Sequence, residues 1–335
     1  MQGRPCTTIH DAGKNVSKKF ARNILVAAIA VASLSAGFPG SAAAATVPLS
    51  HAHIAEHFDL AGGQMPENIV GEPNGSIDVS FSAARQIAQI TRHGAVRVLA
   101  TLPAPADGGV HTPVLGFPLV TGLVRDAHGT LYFLYATGTS DLTGVWRLTP
   151  GGTPQRIAAL PADGLPNGLA LDDHRLYVTD SVRGVIWRVP TSGGDATVWA
   201  SGTELASTGF LGANGLKVHN GAVWASNMDK GTVLRFPLKG NGTAGPAEIR
   251  ADQLPGIDDF DFIGRTDRIL AALDQSDQVA LVEPDGTHTI VLSAQDGLQN
   301  PTALAVRGDT VYVTSAAYLT QRDPNLLTAR IQPHC

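Results

Sequence analysis

A pattern of three short strands returns along this chain at a nearly fixed interval. It is clearest at residues 166–189, where two stretches of alternating apolar and polar residues flank the Asp173-His174 turn and a third follows a second turn. A period of two is typical of half-buried strands, and short polar turns between such stretches predict antiparallel hairpins. A second copy occupies residues 213–236.

Weaker copies bring the total to six. Their opening residues lie 54, 46, 47, 44 and 44 positions apart, and a period in the mid-forties is typical of the four-stranded blade of a propeller. We therefore predict an all-β fold, a six-bladed β-propeller over residues 46–335. All six opening residues carry a side-chain oxygen; they are Glu67, Thr121, Asn167, Asn214, Asp258 and Thr302.

The last repeat is too short to form a complete blade. Only 33 residues follow Thr302 (335 − 302), about a dozen fewer than a full repeat needs. Residues 55–60 resemble the fourth strands of other copies. We predict that this N-terminal strand pairs with the C-terminal blade and closes the ring, which leaves no open sheet edge.

Residues 1–45 have the pattern of a signal peptide. Basic residues precede an apolar run at 24–36, and three alanines follow at 43–45. The run is too short to span a bilayer, and no later segment is long and apolar enough to do so. We predict cleavage after Ala45 and a secreted, extracellular protein without a membrane span.

Composition excludes two further features. A net charge of −5 lacks the basic excess of a nucleic-acid-binding protein, so we predict no nucleic-acid partner. Of the two cysteines, Cys6 would leave with the signal and Cys335 is the last residue, so the mature chain has no intramolecular disulfide. Its 290 residues (335 − 45) can bury a sizeable core without one.

Two short motifs occur in the wrong structural context. Residues 53–57 match the H-x-x-E-H pattern of one metalloprotease class, but Ile54, Phe58 and Leu60 stand at alternate positions, which indicates a strand and not the helix that this chemistry needs. Residues 240–245 have G-x-G-x-x-G spacing, yet a proline and a strand-like stretch follow. Neither motif supports a function here.

The opening residues point to a metal ion. Equivalent positions of a propeller converge on the central channel at one face, and this set offers oxygen ligands without Cys or His, which suits Ca²⁺. Asn before Gly is also a common turn residue that needs no metal. All these residues stand at the same position of the repeat. This favours the metal, because a cation would relieve the repulsion between Glu67 and Asp258.

Four segments carry a family resemblance: residues 66–70, 166–169, 213–216 and 257–260. Through them the mature chain resembles the SMP-30/gluconolactonase/LRE-like family of six-bladed calcium propellers, related to paraoxonases and strictosidine synthase-like proteins. The resemblance implies Ca²⁺, or another divalent cation, held by Glu67, Asn214 and Asp258 with Asn167 nearby.

Two positions depart from that family. Leu165 stands where its sugar-lactone hydrolases carry an Arg, two residues before Asn167, and the loss of the guanidinium removes a hydrogen-bonding fork for sugar hydroxyls. Gluconolactone is therefore a doubtful substrate. Asp259 replaces the Gly expected after the fifth-blade Asp and adds a carboxylate near the site.

Further candidates come from loops and strand ends. His111 precedes the second blade and has a pKa range suited to proton relay, with a solvated loop position as the alternative. The ends of second strands should lie near the same face, with a turn role as the alternative. The predicted pocket residues are Asp180, Asn227, Asp259 and Asp274.

These residues predict a metal-dependent hydrolase acting on a small-molecule lactone or ester. The ion would polarise the acyl carbonyl and activate a water, with Asp258, Glu67 or His111 in catalytic roles. The alternative is a non-catalytic propeller that binds a protein or glycan and holds a structural cation, and fold does not decide between them. A lyase of cyclic ester antibiotics would also use a propeller and a divalent ion, but those enzymes resemble seven-bladed propellers.

Overall fold

Six antiparallel sheets of four strands each make up this protein, which a computed structural model describes over residues 49–332. The first strand of each sheet packs against the first strand of the next, and the sixth returns to the first. The sheets are therefore the blades of a closed ring, and the predicted six-bladed β-propeller is confirmed.

The first three blades follow one another along the chain. Blade 1 contains β2 (Pro66–Gly71), β3 (Ile77–Phe81), β4 (Gln86–Ile90) and β5 (Val96–Thr101). Blade 2 contains β6 (Leu119–Arg125), β7 (Leu131–Ala136), β8 (Gly144–Leu148) and β9 (Gln155–Ala159). Blade 3 contains β10 (Pro166–Asp172), β11 (Arg175–Asp180), β12 (Val185–Pro190) and β13 (Thr197–Ser201).

The remaining blades have the same order except for the last. Blade 4 contains β14 (Ala213–His219), β15 (Ala222–Asn227), β16 (Thr232–Pro237) and β17 (Glu248–Ala251). Blade 5 contains β18 (Ile257–Phe262), β19 (Ile269–Leu273), β20 (Gln278–Val282) and β21 (His288–Leu292). Blade 6 contains β22 (Pro301–Arg307), β23 (Thr310–Ser315), β24 (Asn325–Ile331) and the N-terminal β1 (Leu49–His57).

Helical structure in the described residues is limited to three short 3₁₀ turns, Thr203–Leu205, Asp274–Ser276 and Ala294–Asp296. Within residues 49–332 no helix is long and apolar enough to cross a membrane. The predicted signal segment of residues 1–45 and both cysteines lie outside the described residues, and those predictions stay untested.

The hydrophobic core is divided among the interfaces between blades. Six buried clusters each combine side chains of two neighbouring blades, including the pair formed by blades 6 and 1. At the interface of blades 3 and 4, Tyr177 packs edge-on against Trp199, with ring centroids 4.9 Å apart. Because each sheet is covered on both faces, apolar burial holds neighbouring blades together.

The N-terminal strand β1 is the outermost strand of blade 6. It pairs antiparallel with β24, from Leu49 opposite Ile331 to His57 opposite Asn325. The sequence predicted this strand at residues 55–60. The observed strand begins six residues earlier (55 − 49) and ends three residues earlier (60 − 57). The H-x-x-E-H pattern lies on it in extended conformation. The contribution of β1 to closing the ring stays a prediction.

A β-bulge interrupts the first strand of every blade at its opening residue. The pairing register between first and second strands shifts at residues 66–68, 120–123, 166–169, 213–216, 257–260 and 301–303. A bulge re-aims the side chains at that point, and bulges are frequent beside functional sites. The repeated register shift therefore places all six opening residues at equivalent points of their blades.

Hydroxyl groups connect each bulge to the neighbouring blade. Ser226 Oγ donates to the carbonyl of Asp258 at 2.5 Å, and Thr121 Oγ1 donates to the carbonyl of Pro166 at 2.9 Å. Thr302 Oγ1 donates to the carbonyl of Pro66 at 2.9 Å, which joins blade 6 to blade 1. These bonds satisfy buried carbonyls and fix the positions of the innermost strands relative to one another.

Glycines after the opening residues allow this close approach. Gly168 and Gly215 lie within strands, not in turns, and neither has a positive φ. A β-carbon on Gly168 would overlap the Asn214 carbonyl oxygen, and one on Gly215 would overlap Asp259. Contact between blades therefore explains the pairs Asn167-Gly168 and Asn214-Gly215, and the interpretation of these two pairs as turns is wrong.

Removing β1 should destabilise the ring. We expect a protein lacking residues 1–57 to melt well below the full-length protein, because β24 loses its partner along one edge and the buried Leu49 is lost from the interface of blades 5 and 6. Differential scanning calorimetry measures the change. Removal of residues 1–45 alone is the matched control, and equal melting temperatures for the two truncations would contradict the prediction.

A methyl group between the innermost strands should be costly. Gly168→Ala should lower the free energy of unfolding by about 1–3 kcal/mol, since the overlapping atom belongs to the backbone and cannot rotate away. Gly209→Ala is the matched control, because nothing lies within 4 Å of a β-carbon there. Urea unfolding of both variants tests this, and the prediction is wrong if they unfold at the same midpoint.

Candidate functional site

Four of the six opening residues line one cavity at the end of the channel. Glu67, Asn167, Asn214 and Asp258 come from the first strands of blades 1, 3, 4 and 5, and we call them the polar cluster. The cavity has a volume of about 310 Å³. The bulges and the contacts between blades bring these side chains together, although they are far apart in sequence.

The other two opening residues serve the fold. The hydroxyls of Thr121 and Thr302 donate to carbonyls of the next blade, and neither residue lines the cavity. Thr121 and Thr302 are fully buried. The oxygen ligands that the cavity offers from this position are thus two carboxylates and two amides.

The carboxylates of the polar cluster are buried. Glu67 is 7% exposed and Asp258 is 5% exposed. Burial raises the pKa of Glu67 to about 7, and the charge of Asp259 acts in the same direction against a hydrogen bond from Tyr318. Burial and the charges of Glu67 and Asp274 raise the pKa of Asp258 well above its usual range. No Lys, Arg or His of the described chain lines the cavity.

The residues of the cavity fit a hard cation. Their donors are carboxylate and amide oxygens, the ligands that Ca²⁺ prefers. The buried carboxylate oxygen Asp274 Oδ1 has no hydrogen-bond partner in the described part of the chain, and such an acceptor needs a donor or an ion to satisfy it. Residues 49–332 contain no group of three Cys, His, Asp or Glu arranged for a metal, so the amides would have to contribute.

Tyr318 is a site residue that the sequence did not reveal. Its hydroxyl donates a hydrogen bond to Glu67 Oε2, and Ser82 Oγ lies 2.8 Å from the same hydroxyl. The contact spans the interface between blades 6 and 1, 251 residues apart along the chain. Tyr318 lies three residues beyond the end of β23, whereas Asp274 directly follows β19, so no shared repeat position marked Tyr318 in the sequence.

Asn300 ties two loops of the cavity together. Its side-chain nitrogen donates to the Asp274 carbonyl at 3.0 Å, and its side-chain oxygen accepts from the Leu319 and Thr320 amides at 2.8 and 3.0 Å. Asn300 is buried and has a left-handed backbone, a conformation that Asn tolerates. It therefore fixes the loop that carries Tyr318 against the turn that carries Asp274.

Asp274 lines the cavity, and its role there stays a prediction. It is 8% exposed, and burial together with the charges of Glu67 and Asp277 raises its pKa well above the usual range. The cavity therefore contains a third acid besides Glu67 and Asp258.

Asp259 does not line the cavity, in contrast to the prediction. The bulge directs its carboxylate elsewhere, where Oδ2 accepts from Lys217 Nζ at 2.5 Å and from Asn68 Nδ2 at 3.1 Å. Lys217 thus balances this carboxylate. The Asp259 carboxylate therefore belongs to a polar contact among blades 1, 4 and 5.

Asp180 and Asn227 also lie outside the cavity lining. The carboxylate of Asp180 accepts from the backbone amides of Leu165, Val182 and Arg183 at 2.9–3.2 Å. Asn227 donates to the carbonyls of Glu204 and Ala206 at 2.9 and 3.1 Å. Both residues stabilise turns, the alternative that the sequence left open.

His111 is exposed and does not line the cavity. Its Nδ1 lies 2.7 Å from Asp107 Oδ2 within its own loop.

Leu165 is fully buried and packs with Leu119, Leu211 and other residues beside the cavity. The side chain two residues before Asn167 is therefore buried hydrocarbon.

Comparison of the structure with solved structures shows which proteins share its fold. A gluconolactonase from Xanthomonas campestris is 14% identical and covers 81% of this chain and 87% of its own, with a TM-score of 0.58. A luciferin-regenerating enzyme is 12% identical over 80% of this chain and 91% of its own, with a TM-score of 0.59. Both are six-bladed β-propellers, in agreement with the predicted resemblance.

A lyase has a similar structure. An inactive variant of virginiamycin B lyase from Staphylococcus aureus, with quinupristin, is 17% identical over 81% of this chain and 82% of its own, with a TM-score of 0.57. No protein-family profile and no curated protein sequence matches the chain. The comparisons therefore establish the propeller fold, and the site has to supply the argument for function.

Proposed function

We propose that this protein is a divalent-cation-dependent hydrolase of a lactone or ester, with Ca²⁺ bound in the cavity. The supporting observation is the convergence of buried Glu67 and Asp258 with two amides on one cavity that no cationic side chain of the described chain lines. Uncompensated carboxylates at such a position favour a cation, and water would complete a coordination number of about six to eight.

The polar cluster would hold the ion from four sides of the channel. Glu67, Asn167, Asn214 and Asp258 would supply the oxygen ligands, with Tyr318 orienting the Glu67 carboxylate through its hydrogen bond. A divalent cation bound there supplies positive charge that polarises an acyl carbonyl and favours ionisation of a water. In hydrolysis the water oxygen bonds to the acyl carbon, the bond from that carbon to the alkoxy oxygen breaks, and the alkoxy oxygen takes a proton.

Asp274 is the residue that we propose as proton acceptor. It lines the cavity, it lies outside the proposed ligand set, and its Oδ1 has no hydrogen-bond partner within the described residues. Asp258, the acceptor proposed from sequence, would be neutralised as a ligand. His111 is exposed on its loop and outside the cavity lining, so we assign it no role.

Calcium binding is the first test. We expect calorimetric titration of chelator-treated protein to show one site, and Glu67→Gln and Asp258→Asn each to weaken binding at least tenfold, because each removes one negative ligand from a buried site. Asp195→Asn is the matched control, since it removes the same charge from an exposed loop. Equal affinities for the control and the two site variants would contradict the assignment of ligands.

Hydrolysis is the second test. We expect a panel of lactones and aryl esters to include substrates that are cleaved with calcium and not in chelator, with activity restored when calcium is returned. Asp274→Asn should lower kcat by at least about a hundredfold and keep calcium affinity, because general bases typically contribute factors of this size. Asp195→Asn should behave as wild type.

Other outcomes distinguish the alternatives. Calcium binding without any cleavage would favour a non-catalytic propeller with a structural cation. Mass spectrometry separates hydrolysis, whose product gains the mass of water, from the elimination of a lyase, whose products together keep the mass of the substrate. Cleavage that persists unchanged in chelator would overturn the proposed role of the ion.

A further inference from the structure

The cavity has two chemically different parts. Beyond the polar cluster and Asp274, its lining is almost entirely hydrocarbon. We call this part the apolar wall, which consists of Leu115, Leu119, Phe210, Leu211, Met228 and Leu319. These residues come from loops and strands of blades 2, 4 and 6 and their neighbours, so several blades contribute to one apolar surface.

The apolar wall is part of a packed cluster. Leu115, Leu119, Leu211 and Met228 are each less than 8% exposed and pack with Leu165 and Phe117 in one buried group. Phe210 is half-buried and Leu319 is 37% exposed, so these two residues lie nearer the opening. A bound molecule would therefore meet hydrocarbon from the entrance down to the polar cluster.

The segment that carries Phe210 and Leu211 is held in place by one carboxylate. Asp229 accepts hydrogen bonds from the backbone amides of residues 208–211 at 2.7–3.2 Å and from Ser207 Oγ at 2.7 Å. Several backbone donors on one carboxylate define the loop conformation closely. The wall is thus preorganised next to Met228, which adjoins Asp229 in the chain.

Polar side chains are scarce beyond the polar cluster. Gln275 and Tyr318 are the other polar residues of the lining apart from Asp274, and the Tyr318 hydroxyl already contacts Glu67 and Ser82. A sugar lactone carries several hydroxyl groups, each of which loses water on entering the cavity. A hydroxyl buried without a partner opposes binding strongly.

We infer that this cavity selects lactones or esters whose acyl or ring portion is a hydrocarbon, and that it rejects polyhydroxylated lactones. The inference rests on the proposed hydrolase function. The ester group would face the polar cluster while the hydrocarbon lies along the apolar wall. Phe210 and Met228 are the specificity-determining residues, because they form adjoining parts of the wall from the half-buried rim to the buried interior.

A series of γ-lactones tests the inference. With calcium present, kcat/KM should rise by roughly fourfold for each added methylene from γ-butyrolactone towards γ-nonalactone until the wall is covered, which is the value expected for a buried methylene. Glucono-δ-lactone should be the poorest substrate. Equal or better hydrolysis of glucono-δ-lactone would overturn the inference and leave the hydrolase function standing.

Phe210→Ala should flatten this dependence. We expect about a tenfold loss for γ-nonalactone and less than about a threefold loss for γ-butyrolactone, because the variant shortens the wall and leaves the polar cluster unchanged. Val198→Ala is the matched control, since Val198 is 52% exposed on β13 and does not line the cavity. An equal loss for both lactones would overturn the role of Phe210 in selectivity.

Binding of lactams separates this inference from the hydrolase function. Alkyl-substituted γ-lactams are not expected to be cleaved, and their affinities can be measured by calorimetry on the calcium-loaded protein and on Phe210→Ala. Affinity that rises with chain length and falls in Phe210→Ala, without hydrolysis of any lactone, would support an apolar-ligand site and overturn the enzyme. Affinity independent of chain length would overturn the apolar selection.

Discussion

The close approach of six innermost strands around one channel is the constraint on which this structure depends. Gly168 and Gly215 permit the approach because neither has a β-carbon, and hydroxyls such as Ser226 Oγ satisfy the carbonyls that it buries. The strands cannot separate without opening the apolar clusters between blades. Their bulged ends therefore have to share a small volume, and the side chains at those ends have to meet.

The composition of those side chains sets the electrostatics of the cavity. Glu67, Asp258 and Asp274 are buried together without a cationic side chain of the described chain beside them, which favours their protonated forms or a bound cation. By contrast, Asp259 is paired with Lys217. The fold thus balances one of its central carboxylates internally and leaves three at the cavity, which is the physical basis of the proposed ion site.

The apolar side chains around the cavity strengthen electrostatic interactions inside it. Electrostatic interactions increase where water is excluded, so the leucines, Phe210 and Met228 would add to the effect of a cation on an ester carbonyl. The same side chains restrict what can enter. Propellers that share this fold at 12–17% identity include a gluconolactonase and a lyase, so the fold by itself does not decide the chemistry.

Local periodicity determined much of the architecture. Alternating strands and a repeat in the mid-forties predicted six blades, because each blade is built from contacts near in sequence. The common phase of the opening residues also predicted that Glu67, Asn167, Asn214 and Asp258 share one region. These features follow from order along the chain and need no knowledge of which side chains meet across the channel.

The tertiary structure alone decided the remaining features of the site. Bulges direct Asp258 into the cavity and Asp259 towards Lys217, although the two are adjacent in sequence. Tyr318 reaches Glu67 only because the last blade lies beside the first. The apolar wall combines residues from several loops and from the start of β6, which share no sequence pattern. Such contacts depend on how the blades pack around the ring, and local sequence does not specify that packing.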